Sequence, residues 1–263
     1  MGLVIRQSIY TTIISYVGVV VGYVNILYLF PKFLAPEQVG LLRTIQDAAI
    51  LFSPFAQFGI AQSIFKFYPR LAKDDESEKQ FISTLLFFAL IGFLIFVIVF
   101  KVFQTPIISY FEDNASDVIQ YANTILWLTF ILLMSALLEA YSRSLLKTVV
   151  PNLIKEVVIR VFLALLVTCY FFGWLSYEWF IIASVLAYLA CLLLLIGYLV
   201  LENRFAIRFS LALVKSPEFG SLVRYSFLSF AGAAGMIIIG KIDSIMVAAL
   251  VDLAAVAVYT TGF

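Results

Sequence analysis

The chain has 263 residues, a net charge of +1 and no histidine, and 63% of its residues are hydrophobic. Its mean hydropathy of +1.07 lies outside the range of soluble domains and within that of membrane proteins with several spans. The composition excludes an ordinary soluble domain, and the lack of histidine excludes mechanisms that depend on this residue. We also expect no nucleic-acid partner and no metal site.

Six uncharged, apolar stretches are each close to the roughly 20 residues that a membrane-spanning helix needs. They are continuous and lack the in/out alternation of barrel strands, which predicts helices. The first stretch is too long for the apolar core of a signal peptide, so it should remain as a span. A seventh helix is predicted from about residue 222 to 251 and an eighth over 253–263. The six stretches are residues 7–31, 48–65, 82–100, 118–138, 161–177 and 179–201.

The basic residues indicate the orientation, because Lys and Arg beside the spans favour the cytoplasmic side. With a cytoplasmic N-terminus, twelve of the 17 basic residues lie on the inner side, and only Lys32 and Lys101 lie on the outer side. Arg43, Arg160 and Lys241 remain within the membrane. The sequence therefore predicts a multi-pass membrane protein whose N-terminus is cytoplasmic.

The spans fall into two groups joined by a basic segment. Residues 1–202 are predicted to form a six-helix N-terminal lobe, and residues 222–263 to begin a second lobe. Between them, residues 203–221 mix Arg204 and Arg208 with aromatic and aliphatic side chains. That mixture is typical of a helix lying on the anionic inner leaflet. We therefore predict an interfacial linker helix over this segment.

A weak internal repeat supports two related lobes. A shift of 218 residues places Arg6 on Arg224 and Asn25 on Asp243. Such similarity is expected of transporters that are built from duplicated halves. The eighth helix, over residues 253–263, is too short to cross a membrane. We therefore expect the chain to be the N-terminal part of a longer, two-lobed protein.

Ionisable residues lie within or beside the apolar stretches, where a charge at helix-centre depth costs roughly 2.5–3.5 kcal/mol on insertion scales. With a rise of about 1.5 Å per residue, Asp47 and Arg160 reach the middle of the membrane. Lys241 and Asp243 lie in the outer half of the seventh helix. The three oppositely charged pairs at i,i+4 spacing are Arg43/Asp47, Glu139/Arg143 and Glu156/Arg160.

These charges allow two interpretations. In the first, the two members of each pair only neutralise each other, which makes insertion tolerable. In the second, several pairs face one cavity, where an incoming anion competes with the carboxylates for Arg43, Arg160 and Lys241. Glu139 and Arg143 reach the cytoplasmic end of the fourth helix, so they are predicted to form a rim.

Two connections carry clusters of charge. The inner loop over residues 66–79 contains mixed charges and is expected to be solvated. The outer segment over residues 103–116 contains Pro106 and the cluster Glu112-Asp113-Asn114. This composition predicts a short amphipathic excursion with a turn.

Two motifs resemble a known family. The segment Phe33-Leu34-Ala35-Pro36-Glu37-Gln38-Val39-Gly40-Leu41 resembles the Leu-x-Pro-Glu-x-x-Gly outer turn of bacterial polysaccharide-biosynthesis and O-antigen flippases. The segment Gly240-Lys241-Ile242-Asp243-Ser244-Ile245-Met246, followed by Val258-Tyr259, is similar to the seventh-helix segment of that family. These flippases form the oligosaccharidyl-lipid branch of the multidrug/oligosaccharidyl-lipid/polysaccharide exporter superfamily. Ala257 departs from the pattern, which often has glycine there.

The resemblance implies an all-α polytopic membrane fold with two lobes, in the bacterial inner membrane. It implies alternating-access transport of an undecaprenyl-pyrophosphate-linked oligosaccharide, with Arg43, Arg160 and Lys241 binding the anionic substrate. Asp47 and Asp243 would couple transport to H⁺ or Na⁺, without another cofactor. Glu156 would act as a charge-pair carboxylate. Membrane lipids and proteins of polysaccharide polymerisation and assembly are the further partners that it implies.

Two rival functions remain open at this point. A cation-coupled multidrug exporter would share the fold, although an acidic cavity would suit organic cations better than three basic residues do. A membrane-embedded glycosyltransferase or polymerase would need a sizeable extramembrane loop with acidic catalytic residues. The chain has no such loop and no catalytic or phosphate-binding motif, so we predict a transporter rather than an enzyme.

Overall fold

Helices make up nearly all of the described chain. The computed structural model describes residues 2–105, 111, 115–208 and 211–262, and Pro106, Glu112, Asp113, Asn114 and Phe209 lie outside them. Two π-helical turns, Asn25–Leu29 and Ile154–Val158, join α1 to α2 and α8 to α9. The helices are α1 (Leu3–Val24), α2 (Phe30–Phe33), α3 (Pro36–Gln57), α4 (Ile60–Leu71), α5 (Asp75–Val102), α6 (Ser116–Gln120), α7 (Ala122–Ser144), α8 (Val149–Leu153), α9 (Ile159–Phe171), α10 (Tyr177–Leu201), α11 (Leu211–Val214), α12 (Pro217–Leu250) and α13 (Leu253–Gly262).

Five helical segments of the described chain are long and apolar enough to cross a membrane, or six when the bent pair α3 and α4 counts as one span. The fifth predicted span is helical from Val149 to Phe171 across a π-helical turn. It is not counted among the five because three charged residues, Lys155, Glu156 and Arg160, make this segment less apolar than the others. The predicted all-α polytopic membrane fold is confirmed.

Hydrogen-bonding side chains determine where several helices begin. The side chain of Gln38 accepts a hydrogen bond of 2.9 Å from the Ala35 N–H, one residue before Pro36 opens α3. Asp74 accepts a hydrogen bond of 2.7 Å from the Ser77 N–H at the start of α5, and this bond lowers the pKa of Asp74. The inner loop expected over residues 66–79 is therefore much shorter, because α4 ends at Leu71 and α5 begins at Asp75.

A 46° bend separates α3 from α4. Phe58 and Gly59 adopt positive φ angles of 49° and 75° there, which end the first helix in the left-handed region. A Cβ atom on Gly59 would lie 2.3 Å from the carbonyl oxygen of Ser226 in α12. The bend is therefore also a point at which the backbone of α12 approaches this pair of helices closely.

The central helix of the bundle is α3, which contacts α5, α7, α12 and α13. Most of its residues are buried, including Leu42, Ile45 and Ala49. By contrast, one face of α1 is exposed, and Tyr16 and Tyr23 show 70% and 65% of their surface. Asp47, in the middle of α3, is consequently buried, and Arg43 one turn earlier is partly buried.

The bundle has two distinct ends. The basic end contains the start of α1, the junction of α4 and α5, the end of α7 and the end of α10, as contacts such as Gln7 with Thr148 and Glu78 with Arg204 demonstrate. The opposite end contains the turn between α2 and α3 and that between α9 and α10, where Gln38 binds Tyr170. The helices thus alternate in direction, as the charge pattern predicts.

The predicted linker helix over 203–221 is not one continuous helix. Residues 204–208 have no regular structure, and a single helical turn follows at Leu211–Val214. Ser216 then caps α12, which begins at Pro217, five residues before the predicted start. The reason is local, because a serine followed by proline is a strong start signal for a helix.

Gly40, the glycine of the outer-turn motif, lies where α3 meets the start of α13. A Cβ atom on Gly40 would lie 1.7 Å from the carbonyl oxygen of Leu253. A backbone carbonyl cannot move aside as a flexible side chain can, so Gly40→Ala must separate the two helices. We expect a loss of about 1–3 kcal/mol in unfolding free energy, seen as a lower unfolding temperature in lipid nanodiscs.

A matched control for Gly40 lies in α10. A Cβ atom on Gly197 would meet nothing within 4 Å, and alanine is favoured over glycine inside helices by about 1 kcal/mol. Gly197→Ala should therefore leave the unfolding temperature unchanged or raise it. Equal stabilisation by both substitutions would contradict the close approach at Gly40.

Candidate functional site

An ion pair joins the central helix to α12. The Lys241 ammonium donates a hydrogen bond of 2.6 Å to Oδ1 of Asp47, and the Ser244 hydroxyl donates one of 2.7 Å to Oδ2. The Asp47 side chain is only 7% exposed, whereas that of Lys241 is 35% exposed. A buried carboxylate is therefore held by a cation that still reaches open space.

Arg43 does not form the expected ion pair with Asp47. No carboxylate oxygen of the described residues lies within 4 Å of its guanidinium, because Lys241 occupies Asp47 instead. The guanidinium carbon lies 5.8 Å from the ring centre of Phe30, and Asp47 remains near enough to attract it electrostatically. Of the two cations beside Asp47, one is neutralised directly and the other is held mainly by an aromatic ring.

The pair Glu156/Arg160 is confirmed. Its side chains meet at 2.8 Å with the predicted i,i+4 spacing. A second guanidinium nitrogen of Arg160 donates to the carbonyl oxygen of Gly18 in α1. Cβ atoms on Gly18 and Gly22 would lie 2.7 Å from the Glu156 carbonyl oxygen and the Arg160 guanidinium, respectively. The two glycines, four residues apart, thus let α1 lie directly on this ion pair.

The two π-helical turns lie beside this pair. Asn25 begins the turn that follows α1, is only 3% exposed, and donates a hydrogen bond of 2.7 Å to the backbone oxygen of Arg160. Glu156 lies in the other π-helical turn. Turns of this kind occur frequently at functional sites because they alter the direction of a helix locally.

Tyr188 of α10 lies near charged groups on two other helices, α3 and α9. It lies within electrostatic range of Arg43, Asp47 and Arg160. Lys241 joins the same set through its bond to Asp47. Arg43 and Lys241 both lie beside Asp47, whereas Arg160 belongs to the same set only through Tyr188 and is itself paired with Glu156. We refer to Arg43, Asp47, Arg160 and Lys241 as the charged cluster.

Asp243 lies apart from this cluster. It is exposed, and its carboxylate accepts a hydrogen bond of 3.3 Å from the Tyr259 hydroxyl of α13. Lys241 and Asp243 are two residues apart, so they cannot face the same side of α12. The predicted grouping of Asp243 with Asp47 in one place is therefore wrong for this conformation.

The expected pair of Glu139 with Arg143 is also replaced. Glu139 binds Lys155 of the neighbouring helical segment at 3.0 Å. Arg143 lies over the ring of Phe65, 5.4 Å from its centre, and its Nε donates weakly to the Glu139 carbonyl oxygen at 3.4 Å. Both residues lie at the basic end, where the rim was predicted.

A second ionic group was missed by the sequence reasoning, which treated its acidic residue as part of a solvated loop. Glu78 is only 5% exposed and accepts hydrogen bonds from Tyr68 at 2.8 Å and Tyr141 at 2.6 Å. Arg204 donates to the same carboxylate at 3.1 Å. We refer to these four residues as the Glu78 cluster. The available signal was the spacing of Glu78 to Phe81, Ile82 and Leu85, three, four and seven residues later, which places Glu78 on the apolar, inner face of α5.

The described residues contain no group of three or more His, Cys, Asp or Glu side chains that could hold a metal ion. The charged groups of the candidate site are guanidinium, ammonium and carboxylate side chains. Such groups bind anions through charge-assisted hydrogen bonds, and they can also exchange protons or monovalent cations.

The comparisons with known proteins agree with the motifs around Pro36 and Gly240. The family model described as polysaccharide biosynthesis protein matches residues 4–263. No curated protein and no solved structure matches the chain. Since the match extends over almost the full length, this multi-pass membrane protein belongs to the polysaccharide biosynthesis protein family.

Proposed function

We propose that the protein is a flippase that moves an undecaprenyl-pyrophosphate-linked oligosaccharide across the bacterial inner membrane by alternating access. The observation that carries the proposal is the ion pair between Lys241 of α12 and Asp47 of α3. It joins two helices on which the family motifs lie, and it belongs to a cluster of three cations, two of which are paired with the carboxylates Asp47 and Glu156. Family membership supports a role in polysaccharide export.

The charged cluster suits a reversible anion site. A pyrophosphate group competes with Asp47 for Lys241 and gains charge-assisted hydrogen bonds from Arg43, whose guanidinium has no ion pair among the described residues. When Asp47 recaptures Lys241, the anion is released. Because a ligand shifts a conformational equilibrium only through its different affinity for the two states, exchange of this ion pair can drive the movement of α12 relative to α3.

The direction of transport follows from the distribution of charge. Most basic residues outside the spans lie at the basic end, which by the positive-inside rule faces the cytoplasm. We infer that substrate enters from this end and leaves at the opposite end. Protonation of Asp47, or binding of Na⁺ beside it, would weaken its hold on Lys241 and so couple transport to an ion gradient. Polymerisation and assembly proteins would receive the product.

A test in the source organism uses a strain that lacks the gene for this protein. We expect lipid-linked oligosaccharide to accumulate in the cytoplasmic leaflet, measured by whether an added glycosidase that cannot cross the membrane reaches it. Reintroducing the unchanged gene should restore exposure on the outer face. Normal export in the deletion strain would defeat the proposal.

Charge reversal at Arg43 tests the site itself. Arg43→Glu should abolish export in the deletion strain, since an anion would then meet two carboxylates beside Lys241. Export is expressed per amount of variant in the membrane, measured by immunoblot, because a second carboxylate beside the buried Asp47 lowers stability. Lys73→Glu makes the same change of charge at an exposed position between α4 and α5 and should export normally.

A further inference from the structure

A polar cleft opens at the basic end, away from the charged cluster. It has a volume of about 430 Å³ and lies between the first half of α1, the end of α7 and the segment around α8. Ten of its twelve lining residues are polar or charged. The volume falls within the range of small-molecule sites, roughly 300–1,000 Å³, but those sites are mostly apolar. The composition of this cleft therefore needs its own explanation.

Some of the polar side chains hold the helices together. The Thr148 backbone N–H and hydroxyl donate to the side-chain oxygen of Gln7 at 3.2 and 3.1 Å. Asn152 donates to the backbone oxygen of Thr11 at 3.2 Å and to the Ser15 hydroxyl at 3.1 Å. These bonds between α1 and the α8 segment account for part of the polar lining as helix packing.

The remaining side chains are available to a ligand. Among the described residues, the hydroxyls of Ser8 and Thr12 have no hydrogen-bond partner, and both residues are exposed in the cleft. They are four residues apart, so they lie on one face of α1. Arg143 faces the same cleft without an ion pair among the described residues. Packing does not explain the two hydroxyls. Arg143 lies over the Phe65 ring, and among the described residues only its Nε donates a hydrogen bond, to the Glu139 carbonyl oxygen.

The charges of the lining indicate the class of ligand. The cleft has two acidic residues, Glu139 and Glu156, and two basic residues, Arg143 and Lys155. Both carboxylates already have cations, because Lys155 binds Glu139 and Arg160 binds Glu156. The lining is thus close to neutral and does not favour a strongly anionic ligand. Free hydroxyls that both donate and accept match the hydroxyl groups of a sugar.

We propose that this cleft binds the sugar part of the lipid-linked oligosaccharide on the cytoplasmic side, through Ser8, Thr12 and Arg143. This inference rests on the proposed function and assigns the glycan and the pyrophosphate to different places. Glu156 lines the cleft and also binds Arg160 of the charged cluster, so one ion pair separates the cleft from the cation that α1 covers. A substrate extended along α1 therefore contacts both sites.

The experiment measures protection of a cysteine in the cleft. Thr12→Cys is introduced after Cys169 and Cys191 have been replaced by alanine, and the protein is labelled in inverted membrane vesicles with a maleimide that does not cross membranes. One set of vesicles comes from cells with complete lipid-linked oligosaccharide, and the other from cells blocked before the first sugar is added. We expect labelling to slow by about tenfold in the first set when the oligosaccharide is present at roughly ten times its Kd.

Lys73→Cys in the same background is the control, because this exposed residue lies at the basic end but does not line the cleft. Its labelling should be equal in the two sets of vesicles. The double variant Ser8→Ala/Thr12→Ala should in addition export more slowly while its membrane abundance stays normal, since neither hydroxyl has a hydrogen-bond partner among the described residues.

Three results would overturn the inference. They are equal labelling of Thr12→Cys in both sets of vesicles, no labelling in either set, and protection by inorganic pyrophosphate in vesicles without glycan. The last would assign the cleft to the anion. If one of these occurs while export still depends on Arg43, the proposed function stands and only the sugar site fails. If export is normal without the gene, the proposed function fails instead.

Discussion

Lys241→Ala should abolish export and also destabilise the protein by about 3 kcal/mol, the lower part of the range for a broken buried ion pair. The loss leaves the 7% exposed Asp47 carboxylate with the Ser244 hydroxyl as its one direct partner among the described residues. We expect the lower part of this range of destabilisation because the Lys241 side chain is itself 35% exposed. Export is measured in the deletion strain, and stability as the unfolding temperature in nanodiscs.

The double variant Asp47→Asn/Lys241→Ala separates stability from transport. Removing both charges leaves no buried carboxylate to neutralise, so the unfolding temperature should return towards that of the unchanged protein. Export should stay absent, because the cation that binds the anion and the carboxylate that releases it are both missing. Restored export in the double variant would show that the ion pair only supports the fold.

Glu78→Ala should have the largest effect on stability at the basic end, again about 3 kcal/mol. The substitution removes the acceptor of the Tyr68 hydroxyl and one acceptor of the Tyr141 hydroxyl, and each buried group left unsatisfied costs about 1–3 kcal/mol. Tyr141 retains an alternative acceptor, the Arg204 carbonyl oxygen at 2.6 Å. Arg204 is partly exposed, so the loss of its ion pair with Glu78 adds little to the decrease in unfolding free energy.

The effect of Glu78→Ala has a local readout. Arg204 lies in the segment 204–208, which has no regular structure and is tied to α5 through Glu78 and through Ser83, whose hydroxyl donates to the Ala206 oxygen at 2.7 Å. Release of this segment should speed cleavage by trypsin after Arg204 and Arg208 in inverted vesicles. Unchanged cleavage together with an unchanged unfolding temperature would contradict the role assigned to Glu78.

A matched control is Glu76→Ala. Glu76 binds Arg208 at 3.2 Å, but both side chains are more than half exposed. Solvent screens such a pair, so its removal should change the unfolding free energy by less than about 1 kcal/mol. Glu76 and Glu78 are two residues apart on α5. A larger loss of stability for Glu78→Ala than for Glu76→Ala would therefore identify burial of the carboxylate as the cause of the loss.

Most of the fold was predictable because each span depends on its own residues. Apolar stretches near 20 residues long partition into a membrane as helices whatever their neighbours are. The long α12 was predicted despite Lys241 and Asp243, since the apolar residues on both sides dominate. The bend at Phe58 and Gly59 and the missing linker helix were not predictable, because contact with Ser226 and attachment to α5 determine them.

The charged residues were identified from the sequence, but their partners were predicted correctly only once. Glu156 and Arg160 pair as their spacing predicts, because α1 covers them and brings no competing charge. Asp47 instead binds Lys241, which lies far away in the chain. Spacing along one helix describes which local pair can form, and it contains no information about a cation on another helix.

The sequence by itself determined that this is a helical membrane protein of the polysaccharide biosynthesis protein family, and it identified Arg43, Arg160 and Lys241 as the cations of interest. Only the tertiary structure decided that Lys241 binds Asp47 and that Arg43 has no ion pair among the described residues. The physical reason is the distance of contact. Ion pairs form within about 4 Å, and whether helices approach that closely depends on packing positions such as Gly18, Gly40 and Gly59, where backbone atoms of one helix touch another.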